Sequence, residues 1–159
     1  MTLPITSSSA PQPVAKSGWL AEAIGENGGC RPELNYFTIA KMDKLGNYIG
    51  VARQLNGITK GPRVGILYAT VQGRTAHITK TEVNPSCLRR GIFRAMLTDL
   101  DLTMFQGGKV RWIQVETHIQ NKVAIEAYKA VGFKETLRNS AFVTFRRPVQ
   151  GPQLTVPLP

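Results

Sequence analysis

The sequence has little of what marks several protein classes. Its 159 residues include two cysteines, Cys30 and Cys87, and neither stands in a CxxC or a Cys/His spacing that binds a metal. A disulfide scaffold and a zinc ribbon are therefore excluded, no metal site is expected, and a reducing, cytoplasmic compartment is predicted. No apolar run approaches the roughly 20 residues of a membrane span, and the first residues lack the basic and apolar blocks of a secretory signal.

Acidic residues are also scarce. Ten aspartates and glutamates stand against 20 lysines and arginines, which gives a formal net charge of +10 that is spread along the chain. Such a protein attracts anions, for example nucleic acid, acidic protein surfaces or a phosphate-rich cofactor, and it repels polycationic substrates. Charge alone does not choose among these anions, and a basic protein without any such partner fits the same numbers.

Length and composition predict one domain with a packed core, because 42% of the residues are hydrophobic. Residues 1–16 are rich in serine and proline, which predicts a flexible arm. Residues 148–159 are rich in proline and uncharged, which predicts an extended tail. The domain is therefore expected to occupy residues 17–147.

The first part of this domain allows two interpretations. Residues 17–27 predict a short helix that the next two glycines end. Residues 32–46 fit a helix that starts at Pro32 and ends at Gly46. They fit equally well a strand over 36–42 that pairs with a strand over 48–54 across a turn at 43–47.

From residue 48 onward the patterns are clearer. Strands are predicted over 48–54, 63–72, 75–83, 110–116, 133–138 and 141–146, with a loop over 56–62. Helices are predicted over 91–105 and from a cap at Asn121 to a stop at Gly132. The order β-β-β-α-β-α-β-β predicts a mixed sheet with helices packed on it.

Residues 83–97 (VNPSCLRRGIFRAML) carry the most informative local pattern. A strand ends, a short loop follows, and a helix begins at Gly91 among basic side chains: Arg89, Arg90 and Arg94. The first turn of a helix leaves about four N–H groups unpaired at the positive end of its dipole, which suits a pyrophosphate. The segment is neither a Walker loop nor a GxGxxG turn, and an ordinary helix start with solvated arginines fits it as well.

The same segment resembles the acetyl-CoA-binding motif of the GNAT superfamily of N-acetyltransferases. A typical member reads V-H-P-x-Y-R-G-R-G-I-G-R-A-L-L, and the gapless matches are Val83, Pro85, Arg90, Gly91, Ile92, Arg94, Ala95 and Leu97. The core pattern of the family is Q/R-x-x-G-x-G/A. Here Leu88 stands where Gln or Arg is usual, and Phe93 stands where a small residue is usual.

A second segment, residues 121–133 (NKVAIEAYKAVGF), is similar to the NxxAxxxYxxxGF helix of that family. The matches are Asn121, Ala124, Tyr128, Gly132 and Phe133. The resemblance covers about residues 48–146. It implies an α/β (α+β) fold with a mixed, mostly antiparallel sheet that is splayed in the middle and has helices on both faces. The family normally has two helices near the acceptor site, and the amino-terminal part here is shorter.

The resemblance implies that acetyl-CoA is the co-substrate. Its pantetheine arm would lie in the splay beside residues 81–83, the N–H of Val83 would meet the thioester carbonyl, and the pyrophosphate would bind the N–H groups of residues 88–93. The implied cofactor-binding residues are Val83, Leu88, Arg89, Arg90, Gly91, Ile92, Phe93, Arg94, Asn121 and Tyr128.

Acetyl transfer needs a neutral amine, a donor for the oxyanion and a proton for the departing thiolate. The resemblance makes Tyr128 the general acid, although a tyrosine on the inner face of a helix also fits core packing. Glu116 is the first candidate for the general base, because its position resembles that of the base in ribosomal-protein N-terminal acetyltransferases. The others, in order, are His118, Glu82 and His77, and transfer through ordered water without a base stays open. Cys87 is interpreted as a packing residue.

The leading hypothesis is therefore an acetyl-CoA-dependent N-acetyltransferase that works by direct attack through a tetrahedral intermediate. The net charge favours a primary amine on a protein or peptide, or on an anionic small molecule. Two alternatives are kept: a nucleic-acid-associated protein or tRNA-directed acetyltransferase, for which no motif is present, and a member that binds acyl-CoA without catalysis. No membrane partner is expected, and exposed strand edges are compatible with a homodimer.

Overall fold

The computed structural model describes residues 36–56 and 59–152. The predicted arm (1–16), the predicted helix over 17–27, Cys30 and the tail from residue 153 lie outside the described residues. The elements in chain order are β1 (Tyr36–Met42), β2 (Asn47–Asn56), β3 (Thr59–Gln72), β4 (Thr75–Val83), α1 (Ile92–Gly107), β5 (Trp112–His118), α2 (Lys122–Ala130), β6 (Lys134–Arg138) and β7 (Phe142–Pro148).

The strands form one sheet in the order β1-β2-β3-β4-β5-β7-β6. Strands β1 to β4 are joined as antiparallel hairpins, and β7 is antiparallel to both β5 and β6. Among the described strands, only β4 and β5 run parallel, and α1 forms the crossover that parallel neighbours require. The mixed, mostly antiparallel sheet expected from the sequence is confirmed.

The first hairpin decides between the two interpretations of residues 32–46. Strand β1 pairs with β2 from Tyr36 opposite Gln54 to Met42 opposite Tyr48, so the hairpin is confirmed and the helix is wrong. The carboxylate of Asp43 closes the turn by accepting the N–H groups of Leu45 and Asn47, both at 2.9 Å. An Asx turn of this kind offers the backbone a local alternative to a helix.

Strand β3 starts earlier than expected. The loop predicted over 56–62 is wrong for its last part, because β3 begins at Thr59 and its backbone pairs with the end of β2. Gly61 and Pro62 favour a loop in the sequence, but here they fall where the register shifts between Arg53 and Leu55. An irregular register tolerates a residue that has no N–H to donate.

Both described helices pack on the same face of the sheet, which we call the helix face. Helix α1 covers β1 to β4 and buries Met96 and Leu100 completely. Tyr128 of α2 places its ring 5.8 Å from that of Phe93 in α1 and 6.0 Å from that of Phe145 in β7, so one core joins the two helices to the sheet. The opposite side, the far face, carries no helix within residues 36–56 and 59–152.

A buried ion pair links α1, the end of α2 and β7. Asp101 of α1 bonds Arg147 of β7, and Arg147 donates a second bond of 2.8 Å to the carbonyl of Val131 at the end of α2. The N–H of Gln150 donates to the other oxygen of Asp101 at 3.0 Å. These hydrogen bonds fix both helices to the last strand. The two helices form the walls of the site described next.

Candidate active site

The sheet opens between β4 and β5. Their parallel pairing runs only from Thr75 opposite Trp112 to Ile78 opposite Val115, although β4 continues to Val83 and β5 to His118. The N–H of Asn84 donates to Val64 of β3 at 2.9 Å. Successive N–H groups of a strand alternate in direction, so the N–H of Val83 is directed to the other side, into the splay.

The loop after β4 is held in an unusual backbone shape. The side chain of Asn84 accepts the N–H of Ser86 at 3.0 Å, and a 3-10 turn follows over Pro85–Cys87. Arg89 then has φ of 64° and Gly91 has φ of 80°, two left-handed residues in three. Left-handed residues turn neighbouring N–H groups toward one side and make concave anion sites. A left-handed conformation is strained for an arginine.

Helix α1 starts at this loop without a side-chain cap. Its N-cap is Gly91, which has no side chain to accept the N–H groups of the first turn. Those groups and the positive end of the helix dipole are therefore available to an anion.

Cys87 is completely buried and disulfide-bonded, so its sulfur is not an available nucleophile. The expectation of a reducing compartment does not predict this state.

A cleft of about 590 Å³ lies over the loop, between α1 and α2. Seven of the residues predicted to bind the cofactor line it: Val83, Leu88, Arg89, Gly91, Ile92, Phe93 and Arg94. Three do not line it: Arg90, Asn121 and Tyr128. Asn121 caps α2, as the sequence predicts, and its side chain accepts the N–H of Ala124 at 3.2 Å.

A second cleft of about 500 Å³ adjoins the first. The two share Arg94, Ala130 and Val131, and the second extends to the buried pair of Asp101 and Arg147. A ligand with two bulky parts, such as a nucleotide joined to a long arm, would therefore find two adjoining spaces beside the helix start.

Tyr128 lies at the splay but is completely buried. Its hydroxyl lies near that of Thr81 in β4, yet neither oxygen has a hydrogen-bond partner of normal geometry. Burial raises the pKa of Tyr128 well above its ordinary value of 10.0, and the nearby Thr81 lowers it only in part. The phenol is therefore protonated at neutral pH and has a proton to donate.

Phe93 borders both the cleft and Tyr128. Its ring lines the cleft and contacts the ring of Tyr128 edge-on, with 5.8 Å between centroids. The side chain is thus directed toward α2. A small residue is usual at this position in the family.

The two carboxylates among the candidate bases lie on the far face, on opposite sides of the splay. Glu82 pairs with Ile66, which packs with Val51 and Tyr68 outside the main core. Glu116 alternates with Val115 and Thr117, which are buried on the helix face, so the exposed Glu116 is directed to the far face as well. Two carboxylates therefore flank the splay on the side opposite Tyr128.

The two histidines lie on the far face as well, by the same alternation, but at different heights along their strands. His118 ends β5, accepts the N–H of Gln120 at 3.1 Å through Nδ1, and packs edge-on against Phe142. His77 lies below the splay, because it pairs with Gln114 within the closed part of the sheet. Burial and the nearby Arg146 lower the pKa of His77, so it is neutral at pH 7. The structure thus brings Glu82, Glu116 and His118 to the open end and leaves His77 outside it.

Comparison with known proteins identifies the family. The family model described as acetyltransferase (GNAT) family matches residues 9–133. The chain belongs to the GNAT family. The resemblance to the GNAT family and the enzyme class, an acyltransferase, are therefore confirmed.

Solved structures agree with the GNAT fold. PaiA N-acetyltransferase from Thermoplasma acidophilum, crystallised with coenzyme A, matches with a TM-score of 0.58 and 16% identity over 65% of this chain and 61% of its own. Ribosomal-protein-S18-alanine N-acetyltransferase from Escherichia coli gives 0.54 and 20% over 74% and 77%. SpeG spermidine N-acetyltransferase from Vibrio cholerae gives 0.55 and 14% over 66% of each chain. The comparison with curated proteins gives no match.

The candidate site also contains residues that the sequence did not assign to cofactor binding. Val123, Ala127 and Val131 form the second wall of the cleft, and their i, i+4 spacing places the three on one side of α2 and its carboxyl-terminal end. Tyr36 donates a hydrogen bond to the carbonyl of Gly91 at 3.2 Å, and no local signal points to it because 55 residues separate the two. The described helices include none long and apolar enough to span a membrane.

Proposed function

We propose that this protein is an N-acetyltransferase that moves the acetyl group of acetyl-CoA to a primary amine. One observation carries the proposal: an uncapped helix start and a buried, unpartnered tyrosine hydroxyl lie at the same end of a splayed sheet. The first feature suits a diphosphate, and the second suits a group that is hydrogen-bonded only when a ligand is present.

The cofactor would use the two clefts and the splay together. The N–H groups of residues 88–93, with Arg89 and Arg94 beside them, would hold the diphosphate. The apolar wall of Phe93, Val123 and Ala127 suits the pantetheine arm, and the second cleft beyond Arg94 suits the nucleotide. Arg90 and Asn121, which do not line either cleft, are expected to act on the loop and the helix rather than on the cofactor.

Acetyl-CoA supplies a thioester whose carbonyl carbon accepts the amine. The N–H of Val83, directed into the splay, would stabilise the oxyanion, and Tyr128 would donate its proton to the leaving thiolate. Glu116, with Glu82 on the opposite side of the splay, would accept the proton of the amine from the far face. Acid and base on opposite faces are what a direct attack across the splay requires.

The acceptor we propose is an amine on a protein or peptide, or on an anionic small molecule. A net charge of +10 repels polycations, so a polyamine such as the one in the name of the Vibrio cholerae relative fits poorly. The Escherichia coli relative is named for a protein alanine, and a protein acceptor of that kind meets no such repulsion.

The first test is calorimetric titration with acetyl-CoA, CoA and 3′-dephospho-CoA. We expect micromolar binding of acetyl-CoA, and weaker binding of the dephospho compound because the basic surface loses a charged partner, the 3′-phosphate. Turnover with a panel of acidic, neutral and basic amino-terminal peptides then tests the acceptor. Absence of binding at millimolar acetyl-CoA would overturn the proposal, and binding without turnover on any amine would leave only an acyl-CoA-binding role.

A further inference from the structure

The carbonyl of Gly91 is held from two directions. It accepts the N–H of Ala95 at 2.9 Å, which is the first hydrogen bond of α1, and the hydroxyl of Tyr36 at 3.2 Å. Tyr36 belongs to the outermost strand β1, and its ring packs against the main core. The side chain of Tyr36, from the edge strand β1, thus reaches the loop proposed to hold the diphosphate.

The peptide unit after Gly91 needs such a restraint. Gly91 has φ of 80° and no side chain, and an added Cβ there would meet only the Tyr36 hydroxyl, at 3.6 Å. Glycine rotates more freely than any other residue, so nothing in its own side chain holds this peptide in one orientation. The hydroxyl of Tyr36 is the contact that does so from outside the helix.

The orientation of this peptide decides where an N–H group is directed. In a planar trans peptide, the carbonyl of one residue and the N–H of the next are directed oppositely. A carbonyl of Gly91 fixed toward Ala95 and Tyr36 therefore directs the N–H of Ile92 out of the helix start, toward the cleft that Ile92 lines.

We propose that Tyr36 is a positioning residue for the diphosphate of the cofactor: its bond to Gly91 pre-orients the N–H of Ile92. The inference rests on the proposed cofactor site. Pre-orientation removes part of the cost of ordering the loop on binding. One neutral hydrogen bond of this kind changes affinity by about threefold to tenfold.

The test compares Tyr36→Phe, which keeps the ring, with wild type and with Tyr68→Phe, which removes a hydroxyl on the far face. Dissociation constants come from the rise in melting temperature with acetyl-CoA and with acetylpantetheine, which has the thioester arm but no diphosphate. We expect acetyl-CoA to bind Tyr36→Phe about threefold to tenfold more weakly, with acetylpantetheine unchanged and Tyr68→Phe like wild type.

Each other outcome contradicts the inference in a distinct way. Equal or tighter binding of acetyl-CoA by Tyr36→Phe overturns it. An equal weakening of both ligands overturns it as well, because that pattern means a structural role without selectivity for the diphosphate. If wild type binds neither ligand, the proposed function itself fails, and that result is separate from the behaviour of Tyr36.

Discussion

At the scale of single residues, Tyr48 and Tyr128 both bury a hydroxyl without a hydrogen-bond partner, and Tyr128 differs in lying at the splay. A buried hydroxyl without a partner costs about 1–3 kcal/mol, and Tyr128 has none of normal geometry. Its pKa is also raised well above 10.0, chiefly by burial. Both features are costs to the fold, and both suit a group that donates a proton to a thiolate.

Replacement of Tyr128 by Phe should therefore separate activity from stability. We expect kcat to fall by about 10²-fold or more, with acetyl-CoA affinity within about twofold of wild type and an unchanged or higher melting temperature. Steady-state kinetics, calorimetry and thermal unfolding measure the three quantities. Tyr48→Phe is the matched control, because Tyr48 is equally buried but lies under α1. Wild-type turnover in Tyr128→Phe would show that Tyr128 is not the general acid.

The pH profile of the wild-type enzyme follows from the same residue. A raised pKa keeps the acid form of Tyr128, so kcat should not fall on the alkaline side up to about pH 10. The stability linked to this group is present below its unfolded-state pKa of about 10 and is lost as pH rises through the folded-state pKa. A decline of kcat centred near pH 8, with the protein still folded by circular dichroism, would argue against Tyr128 as the acid.

Glu116 is tested by Glu116→Gln, which keeps the size of the side chain and removes its basicity. We expect kcat/KM to fall at least tenfold at neutral pH and to recover partly as pH approaches the pKa of the acceptor amine, because less base catalysis is needed there. Glu126→Gln on the exposed side of α2 is the control. If Glu82→Gln shows the larger loss and Glu116→Gln none, the order of the two candidates is reversed.

At the scale of elements, the seat of α1 on β3 depends on Gly65. A Cβ there would lie 2.9 Å from Cγ2 of Ile92 and 3.0 Å from Cε of Met96. Gly65→Ala should cost about 1–3 kcal/mol of unfolding free energy and weaken acetyl-CoA binding, since Ile92 belongs to the helix start. Chemical denaturation and calorimetry measure both effects.

Gly107→Ala is the matched control for that change, because an added Cβ at Gly107 meets nothing within 4 Å. At the end of α1 the substitution should stabilise by about 0.5–1 kcal/mol and leave cofactor affinity unchanged. Equal effects of the two substitutions would mean that the close approach of α1 to β3 is not what sets the position of the helix start.

The sequence predicted best the elements whose periodic pattern ends at a recognisable turn or cap residue. Strand β4 has the predicted bounds, because alternating residues end at Asn84 and Pro85, and α2 has the predicted cap and stop. Strand β5 lies two residues later than expected, since the apolar run from Val110 does not show where pairing begins. The start of β3 was not predicted, because Gly61 and Pro62 favour a loop in the sequence although they lie at a shift in strand register.

At the scale of the whole molecule, the site could be predicted only where motifs are local. The loop over 83–97 was expected to gather at one place, and most of its residues line the cleft. The bond from Tyr36 and the pair of Asp101 and Arg147 join segments that are 46 or more residues apart. Such contacts are fixed by tertiary packing, and no local pattern encodes them.

The pair of Asp101 and Arg147 should behave as a buried ion pair. Asp101→Asn leaves the charge of Arg147 in the core without a carboxylate, and we expect a loss of about 3–5 kcal/mol of unfolding free energy. The double variant Asp101→Leu, Arg147→Met should lose less, because no uncompensated charge remains. Glu135→Gln, which breaks the exposed pair with Arg138, is the control and should change little. A milder effect of Asp101→Asn than of the double variant would contradict this view of the pair.

The net charge of +10 belongs to no single residue and acts on association with acceptors. Positive potential concentrates anionic partners at the surface, and salt screens that attraction over about 10 Å at 0.1 M. We expect kcat/KM for an acidic amino-terminal peptide to exceed that for a basic peptide of equal length by at least tenfold at low salt. The ratio should shrink toward one at 0.5 M salt, while kcat changes little because salt screens the association step and not the proposed transfer within the splay. A preference for basic peptides, or a ratio independent of salt, would show that local contacts rather than the overall field select the acceptor.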